Sequence, residues 1–452
     1  MTPKKYMREN FKEVVHTTLN PEGPGVVRIH LIPPKVEKGK VQSSVAIING
    51  QDIIPVNSAW SILLAEFIRE VNKHHGKEVS DAEVEEILEN TCKAVKKVYW
   101  MTPKKRFRED INTMMETFKQ VAYGEEVSAD IGYMNIGQYA GFMKAPHRMD
   151  IMVSAMEKNG HWNCNQCCVH CYAAGQHQAV EEELTTAQWL TILDKLREIG
   201  IPQVTFTGGE PTMREDLFEL IEHAKWFVSR LNTNGIKLTE DYCRRLRECE
   251  IDSVQITFYS SNKEIHNKLV GADHFDETAA GIDNAIKAGL NLSINTPLCT
   301  LNRDYVETLK YLKEKGVMYV TCSGLITTGN ALTEASEELQ LSTEEIKKIL
   351  ADAADFAYAN GMEISFTSPG WIEEEFIKEH ALSTPNCGAC LSNMAITPGG
   401  NVVPCQSWLS GNVLGNILTD KWEDIWESES CRKRREYSGL MLGRCPLRKE
   451  CK

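Results

Sequence analysis

The chain lacks the sequence features of a secreted or membrane-embedded protein. Its first nine residues contain lysines and an arginine but no apolar stretch of the kind that a signal peptide needs. Nowhere does it offer the ~20 consecutive apolar residues that span a bilayer. The sequence therefore predicts a soluble, cytoplasmic protein with no membrane partner.

Positive charge is also scarce. Lys and Arg number 50 against 63 Asp and Glu, which gives a net charge of −13. Because a nucleic-acid backbone is bound by a basic surface, this balance argues against a DNA or RNA partner. The apolar fraction of 42% and the charged fraction of 25% are typical of a folded globular chain, and the length suffices for about three domains.

Cysteine, by contrast, is abundant. The chain contains 15 cysteines, and without a secretion signal we expect them to be reduced thiols. Four of them lie between Cys164 and Cys171, and six lie between Cys387 and Cys451. Isolated cysteines elsewhere are expected to be small buried apolar groups. The two concentrations of cysteine predict metal binding.

The pattern of apolar residues divides the chain into regions. Residues 1–125 combine a hairpin signal at Asn49-Gly50 with amphipathic helices, which resembles a winged-helix type of α+β fold, and residues 126–145 are predicted to be a linker. A helix capped by Asn57 or Ser58 and another opened by a Ser80–Glu83 capping box are expected here. The cysteine-rich region spans residues 346–452, and within it residues 381–419 carry no charged side chain.

Residues 146–345 alternate short apolar strands with amphipathic helices. The predicted strands cover 149–154, 203–207, 228–232, 253–259, 290–298 and 317–322. Six strand–helix units with short connections predict an α/β region built on a parallel sheet, as a partial barrel or a doubly wound sheet. In both folds the chemistry belongs at the carboxyl ends of the strands.

The first group of cysteines has the spacing Cys164-x3-Cys168-x2-Cys171, just after the first predicted strand. Three thiolates on one short loop can bind three corners of a four-iron, four-sulfur cluster and leave the fourth iron open. A zinc site is the alternative, and it would need His170 or Cys167 as a further ligand.

This spacing, with His170 before the last cysteine, resembles the signature of the radical S-adenosylmethionine (SAM) enzymes. The segment 207–211, Thr-Gly-Gly-Glu-Pro, is similar to the Gly-Gly-Glu motif of that superfamily. The resemblance implies a partial (β/α)6 TIM-type barrel in which the three cysteines bind a SAM-binding 4Fe-4S cluster. It also implies that Glu210 pairs with the SAM ammonium and that Gly208 and Gly209 let the backbone approach a ligand closely.

Further SAM contacts are implied by the same resemblance. They fall on His170, Thr257 and Asn295, and for the last two the alternative is a strand-end residue that bonds backbone groups. The motif Gly324-x-Ile326-x-x-Gly329-x-Ala331 is similar to the part of the family that meets ribose and adenine. Val270 stands where the family usually carries an arginine, so that contact is not expected here.

The second group of cysteines resembles a SPASM domain, the auxiliary-cluster domain of many radical SAM peptide modifiers. Cys390-x9-Gly400-x4-Cys405 and Cys445-x5-Cys451 carry this resemblance, which implies two auxiliary 4Fe-4S clusters. The implied ligands are Cys387, Cys390, Cys405, Cys431, Cys445 and Cys451. Since two complete clusters need eight ligands, we expect a substrate thiol on an open iron. The alternative is a zinc ribbon built on Cys387-x2-Cys390.

The whole arrangement resembles enzymes that modify ribosomally made peptides, in particular the thioether-forming maturases of six-cysteine (SCIFF) peptides. The resemblance implies a cysteine-rich precursor peptide, whose leader adds as a strand to the 45–56 hairpin, and an electron donor such as flavodoxin or ferredoxin. The implied reaction joins a cysteine sulfur to a carbon, most plausibly an α-carbon. Alternatives are another radical SAM peptide reaction, such as a carbon–carbon crosslink or a residue oxidation, or a zinc-stabilised peptide-binding protein.

Overall fold

The computed structural model describes most of the chain as two compact units. The described residues are 1–19, 27–34, 36–37, 40–41, 44–50, 52–74, 79–123, 125, 127, 136–140, 143–411, 413–441 and 443–447. One unit comprises residues 1–145 with 196–202, and the other comprises 146–195 with 203–452. Cys451, one of the predicted ligands, lies outside the described residues. Among the residues that are described, no helix has the length and apolar character to cross a bilayer.

The first unit is an α+β arrangement of a small antiparallel sheet and helices. Its strands are β1 (Val15–Leu19), β2 (Val27–Ile32), β3 (Val36–Glu37), β4 (Lys40–Val41), β5 (Ser44–Ile48) and β6 (Asp52–Val56). Its helices are α1 (Pro3–Asn10), α2 (Ser58–Val71), α3 (Asp81–Lys96), α4 (Lys104–Ala122) and α5 (Ile136–Tyr139). Asn57 caps α2, and the capping box of Ser80 and Glu83 begins α3, both as predicted.

The order of strands in this sheet is β1-β2-β5-β6, all antiparallel. The predicted hairpin is formed by β5 and β6, but β5 is an interior strand because β2 pairs with its other side. We predicted that the 45–56 hairpin would offer its edge to a leader peptide. Of its two strands, only β6 lies at an edge of the sheet. Strands β1 and β2 were not predicted, since His30 and Arg28 interrupt the apolar pattern of β2 although both are buried.

The second unit contains twelve further strands. They are β7 (Arg148–Ser154), β8 (Glu157–Lys158), β9 (His161–Trp162), β10 (Gln203–Gly208), β11 (Val228–Thr233), β12 (Ser253–Thr257), β13 (Leu292–Leu298), β14 (Tyr319–Gly324), β15 (Glu363–Phe366), β16 (Asn393–Ile396), β17 (Asn401–Val403) and β18 (Gly415–Asn416). The helices that follow the first unit are α6 (Thr186–Ile199), α7 (Leu217–His223), α8 (Glu240–Glu248), α9 (Lys263–Val270), α10 (Phe275–Lys287), α11 (Tyr305–Lys315), α12 (Glu334–Glu337), α13 (Thr343–Ala359), α14 (Glu374–Glu379), α15 (Trp422–Trp426) and α16 (Glu429–Gly439).

The large sheet confirms the partial barrel. Its order is β15-β14-β13-β12-β11-β10-β7-β16-β17-β18, and β7 with β10 to β15 run parallel. Strand order follows chain order from β7 to β15, whereas a doubly wound sheet reverses direction at a switch point. The cysteine-rich region extends the same sheet, because β16 pairs in parallel with β7.

The two faces of this sheet differ in chemistry. One face is apolar and buried, as helix packing requires, and carries Ile151, Val204, Phe206, Leu231, Val254, Ile256, Ile294 and Val320. The other face is polar and carries Asp150, Thr205, Thr207, Arg230, Asn232, Gln255, Thr257, Ser293, Asn295, Thr321 and Ser323. Closed barrels usually fill this inner side with branched apolar residues, so the polar lining indicates a binding surface for a polar ligand.

Candidate functional site

The loop that carries the first three predicted ligands lies beyond the carboxyl end of β7, after the short β8–β9 hairpin. The thiol of Cys164 lies 3.6 Å from the carbonyl oxygen of Gly209. Besides burial, the charge of Cys171 raises the pKa of Cys164, and the charges of Cys171 and Cys164 raise that of Cys168, so the three thiols lie near one another. Burial is the larger cause and raises the pKa of Cys164 to about 12. Such thiols become thiolates when a positively charged metal binds them, so the donor set fits a metal cluster.

Helix α9 supports this loop from one side. The backbone N–H of Cys167 donates to the carbonyl of Val270 at 3.0 Å, and that of Val169 donates to Leu269 at 3.0 Å. Gly271 follows with a φ of +66°, and a Cβ on it would lie 2.4 Å from the carbonyl oxygen of Cys167. Only glycine therefore allows the end of α9 to lie this close to the loop.

The segment after β14 supports the loop from another direction. The backbone N–H of Asn330 donates to Cys171 at 2.9 Å, and its side-chain amide donates to the carbonyl of Cys168 at 3.2 Å. The hydroxyl of Ser336 donates to Val169 at 2.9 Å. Gly329 has a φ of +58°, and a Cβ there would lie 2.4 Å from the carbonyl oxygen of Tyr172. This part of the motif associated with ribose and adenine thus contacts the cysteine loop, and sequence reasoning missed Asn330 and Ser336.

The Gly-Gly-Glu turn follows β10 and packs against the end of β7. Gly208 has a φ of +144°, and a Cβ on it would lie 2.3 Å from the carbonyl oxygen of Ser154. A Cβ on Gly209 would lie 2.8 Å from that of Ala155. In this structure the two glycines therefore permit a close approach to the backbone at the end of β7. The approach to a ligand that we predicted is a separate role for them.

Glu210 is 2% exposed, and its carboxylate accepts four hydrogen bonds, three of them at Oε1 and one at Oε2. Its carboxylate accepts from the hydroxyl of Thr233 at 2.7 Å and from the backbone N–H groups of Asn234 at 2.8 Å and Thr212 at 3.1 Å. Burial raises its pKa, and these hydrogen bonds oppose the rise. Its charge also raises the pKa of Cys164, so the structure brings these two predicted site residues together.

Thr257, the last residue of β12, lies beside Asn295 in the middle of β13. The side-chain oxygen of Asn295 accepts from the hydroxyl of Thr321 at 2.9 Å, and Thr321 lies 3.4 Å from the side-chain amide of Gln255. Both predicted residues therefore belong to the polar face of the sheet, where Asn295 takes part in a side-chain network.

His170 is buried and its ring meets that of Tyr259 edge to face, with centroids 5.0 Å apart. Burial lowers its pKa to about 4, so the ring is neutral at pH 7. Among the residues that the structure describes, its Nδ1 has no hydrogen-bond partner, and the same holds for the buried oxygens of Ser154, Thr205 and Asn232. Buried polar atoms normally have partners, so these atoms fit a site for a polar ligand such as SAM.

The C-terminal cysteines gather in the same unit. A hydrogen bond with Cys431 raises the pKa of Cys390 and lowers that of Cys431. Burial raises the pKa of Cys405 to about 12, and the nearby thiols of Cys445 and Cys387 add to the rise. The structure thus brings together the five predicted auxiliary ligands that it describes. Among the described residues, no three His, Cys, Asp or Glu side chains converge as they would around a single metal ion. A 4Fe-4S cluster does not require such convergence, because each cysteine binds a different iron.

Residues 172–181 connect the two cysteine groups. Tyr172 follows Cys171, and the charges of Cys171 and Cys405 both raise its pKa, although burial is the main cause. The side-chain oxygen of Gln176 accepts from the backbone N–H of Leu409 at 3.1 Å. Sequence reasoning missed Tyr172 and Gln176, since their partners lie more than two hundred residues away in the chain.

Two parts of the sequence match known families. Residues 163–312 match the radical SAM superfamily, and residues 387–452 match the SPASM iron-sulfur cluster-binding domain. The first match contains Cys164, Cys168, Cys171 and the Gly-Gly-Glu turn, and the second contains all six C-terminal cysteines.

Curated relatives are named AdoMet-dependent heme synthases. The protein from Oleidesulfovibrio alaskensis is 29% identical over 311 residues, which cover 64% of this chain and 79% of that protein. The protein from Methanosarcina barkeri is 28% identical over 310 residues, which cover 64% of this chain and 87% of that protein.

Solved structures share the fold at lower identity. Streptococcus suis SuiB bound to the precursor peptide SuiA is 13% identical, with a TM-score of 0.59 over 90% of this chain and 92% of that chain. Native anSMEcpe with bound AdoMet is 19% identical, with a TM-score of 0.53 over 66% of this chain and 89% of that chain.

Replacing Glu210 tests the proposed ammonium contact. We expect Glu210→Gln to weaken SAM binding roughly 10- to 100-fold, because a hydrogen bond to a charged group is worth about 1.5–3 kcal/mol. Anaerobic titration calorimetry on iron-reconstituted protein measures this. Glu181→Gln is the matched control, since Glu181 accepts from Asn401 at 2.7 Å and Gly399 at 3.2 Å and joins the C-terminal strands instead. Equal affinities for the two variants would contradict the assignment.

Proposed function

Because the chain combines a radical SAM domain with a SPASM domain, which bind SAM and 4Fe-4S clusters, we propose that it modifies a ribosomally made peptide. The proposed reaction is an intramolecular thioether crosslink between a cysteine sulfur and a carbon of the same peptide. The observation that carries this proposal is the position of the second group of cysteines. These cysteines lie in the same compact unit as the loop of Cys164 to Cys171, and the region that contains them extends the same sheet.

Bound SAM and its cluster would supply a carbon-centred radical that removes a hydrogen from the peptide. When the peptide thiolate bonds to the resulting carbon radical, one surplus electron is left, and an auxiliary cluster would accept it. The chain's own residues do the positioning in this proposal. Cys164, Cys168 and Cys171 hold the cluster and leave one iron to SAM, while Glu210 receives the SAM ammonium. Thr257 and Asn295 would contact SAM from the polar face of the sheet, and His170 would contact it from the cysteine loop.

The auxiliary region would hold the substrate thiol. Cys387, Cys390, Cys405, Cys431 and Cys445 are grouped in the structure, and Cys451 completes the six available ligands. Six cysteines cannot saturate two clusters of four irons, so an open iron is available for a peptide cysteine. Metal binding lowers the pKa of a thiol, so the peptide sulfur needs no separate base.

The first unit would bind the leader of the precursor peptide. Strand β6 lies at an edge of the four-stranded sheet and can accept an added strand. The fold likeness to SuiB, a protein solved with its precursor peptide, covers 90% of this chain and supports this role. A low-potential donor such as flavodoxin or ferredoxin would supply the electron.

Three other functions remain as alternatives. The curated relatives favour a heme-synthesis reaction, but their match covers 64% of this chain. Other radical SAM peptide reactions, such as carbon–carbon crosslinking or oxidation, would use the same site. A zinc-stabilised peptide-binding protein would purify colourless and contain zinc, whereas an iron-sulfur protein purified without oxygen is brown.

The product of the reaction separates these alternatives. We expect anaerobic turnover with the cysteine-rich peptide encoded beside the gene to yield a peptide lighter by two hydrogens per crosslink. The crosslinked cysteines should resist alkylation, because their sulfur is already bonded to carbon. Mass spectrometry before and after iodoacetamide treatment measures both. A peptide whose cysteines all still alkylate would contradict the thioether, and turnover of a porphyrin would favour the heme-synthesis alternative.

A further inference from the structure

One helix of the C-terminal region presents a basic face in an otherwise acidic protein. Helix α16 contains the run Arg432, Lys433, Arg434 and Arg435, whereas the whole chain carries a net charge of −13. Residues Ser430, Lys433, Arg434 and Tyr437 share one side of the helix, at spacings of three and four. Together with Pro404 they line a surface pocket of about 360 Å³. We call these five residues the α16 face.

An adjacent side of α16 faces the auxiliary cysteines. Cys431 is fully buried there and hydrogen-bonds Cys390. Arg435 lies 3.6 Å from the Cys431 sulfur and stacks 3.8 Å above the ring of Trp426, which fixes the helix in place. The hydroxyl of Ser438 lies 3.9 Å from the sulfur of Cys387.

The α16 face adjoins the proposed cluster ligands directly in the chain, because Pro404 precedes Cys405 and Ser430 precedes Cys431. The charge of Arg434 also lowers the pKa of Cys390, although a hydrogen bond with Cys431 and burial raise that pKa overall. A protein bound to this face would therefore lie near the auxiliary cysteines. Short distance is the main requirement for electron transfer between proteins.

The basic groups on this face are accessible and partly preoriented. The Lys433 side chain is 73% exposed and pairs with the equally exposed Glu429, at 2.6 Å. Arg434 stacks 4.4 Å above the ring of Trp408 and 5.6 Å above that of Tyr437. Stacked guanidinium groups keep their charge toward the solvent with little loss of side-chain freedom on binding.

We propose that the α16 face is the docking site of a small acidic one-electron carrier, a flavodoxin, that exchanges electrons with the protein through its auxiliary cluster. The proposal rests on the iron-sulfur chemistry proposed above. In the forward step a flavin hydroquinone anion loses one electron and becomes the neutral semiquinone, and an oxidised 4Fe-4S cluster gains that electron. No bond breaks and no proton moves.

The test is stopped-flow reduction of the oxidised, iron-reconstituted protein by a purified bacterial flavodoxin hydroquinone. We expect Lys433→Glu with Arg434→Glu to slow the second-order reduction roughly tenfold or more at low ionic strength, because steering by opposite charges dominates such encounters. High salt should shrink this difference. Lys433→Glu alone, which leaves the Arg434 stack intact, should give about half of the effect on a logarithmic scale.

The matched control changes the same net charge elsewhere. Arg244→Glu with Lys287→Glu replaces two exposed residues of α8 and α10, which also pair with surface carboxylates. We expect this variant to be reduced at nearly the wild-type rate. Equal slowing of both double variants, or no slowing of the α16 variant, would overturn the proposal. Intact reduction with weakened binding of the precursor peptide would also overturn it and assign the face to the peptide.

Dithionite separates failure of this proposal from failure of the proposed function. Dithionite is a small reductant that needs no docking site, so it should bleach the iron-sulfur absorbance of every variant at the same rate. If docking lies elsewhere, that bleaching persists and only the flavodoxin result changes. If the chain held no iron-sulfur cluster, dithionite and flavodoxin would both leave the absorbance unchanged.

Discussion

Replacing Cys164, Cys168 and Cys171 together by alanine is expected to abolish SAM cleavage. The three side chains share one loop, where they lie within reach of one another and of Glu210. Without them Cys167 is the one cysteine left on the loop, and a single thiolate cannot hold a four-iron cluster, so SAM has no reductant in contact with it. We expect 5′-deoxyadenosine formation to fall at least about a thousandfold, to background, and iron content to drop by about four per chain.

The control for this variant removes as many cysteines from elsewhere. Cys92, Cys243 and Cys249 are buried, lie on or next to helices, and have no role in the proposed site. Their triple replacement by alanine should keep iron and SAM cleavage and cost only stability. Iron analysis and chromatography of the nucleoside measure both variants. SAM cleavage that survives in the Cys164, Cys168 and Cys171 variant would disprove the assignment of the first cluster.

The second large effect is expected from one methyl group at Gly271. A Cβ there would lie 2.4 Å from the carbonyl oxygen of Cys167, so Gly271→Ala must displace either the end of α9 or the cysteine loop. The backbone hydrogen bonds from Cys167 and Val169 to α9 would be strained with it. We expect iron incorporation and SAM cleavage to fall about tenfold or more, since reacting groups tolerate little misplacement.

Gly289 provides a matched comparison. It has a φ of +69°, against +66° for Gly271, but a Cβ on it would meet no atom within 4 Å. Gly289→Ala therefore carries the same backbone penalty of about 1 kcal/mol without the contact to the loop. Thermal unfolding, iron content and nucleoside formation should all be near wild type for this variant. Equal iron loss in the two variants would show that backbone strain, and not loop support, is the cause.

Much of the barrel could be predicted because its signals are local. The strands β7, β10, β11, β12, β13 and β14 each begin within two residues of their predicted starts. Their apolar residues alternate or run together over five to seven positions, and the helix signals between them are capping residues and periodic leucines. Elements that lack such patterns were not predicted. Examples are β2, whose Arg28 and His30 are buried although residues of these types are usually exposed, and the short strands β16 to β18.

The site was predictable in its residue types but not in its supports. Spacing placed Cys164, Cys168, Cys171 and Glu210 in the site, and the structure brings Cys164 and Glu210 together. The spacing of residues in the sequence gave no sign that Asn330 and Ser336 hold the backbone of the cysteine loop. These contacts join segments about 160 residues apart, and no periodicity or local motif encodes a pairing over such a distance.

The sequence by itself determined four features of this protein. They are an acidic composition, a loop of three spaced thiols, a pattern of buried strands that predicts a parallel barrel, and a second group of cysteines between Cys387 and Cys451. These features depend on residues that are neighbours in the chain. The tertiary structure decided which distant groups meet. It paired Cys390 with Cys431, joined β16 to β7 and turned the basic side of α16 outward above the auxiliary cysteines. Packing settles such choices, because the free energy of a long-range contact depends on how every intervening element folds.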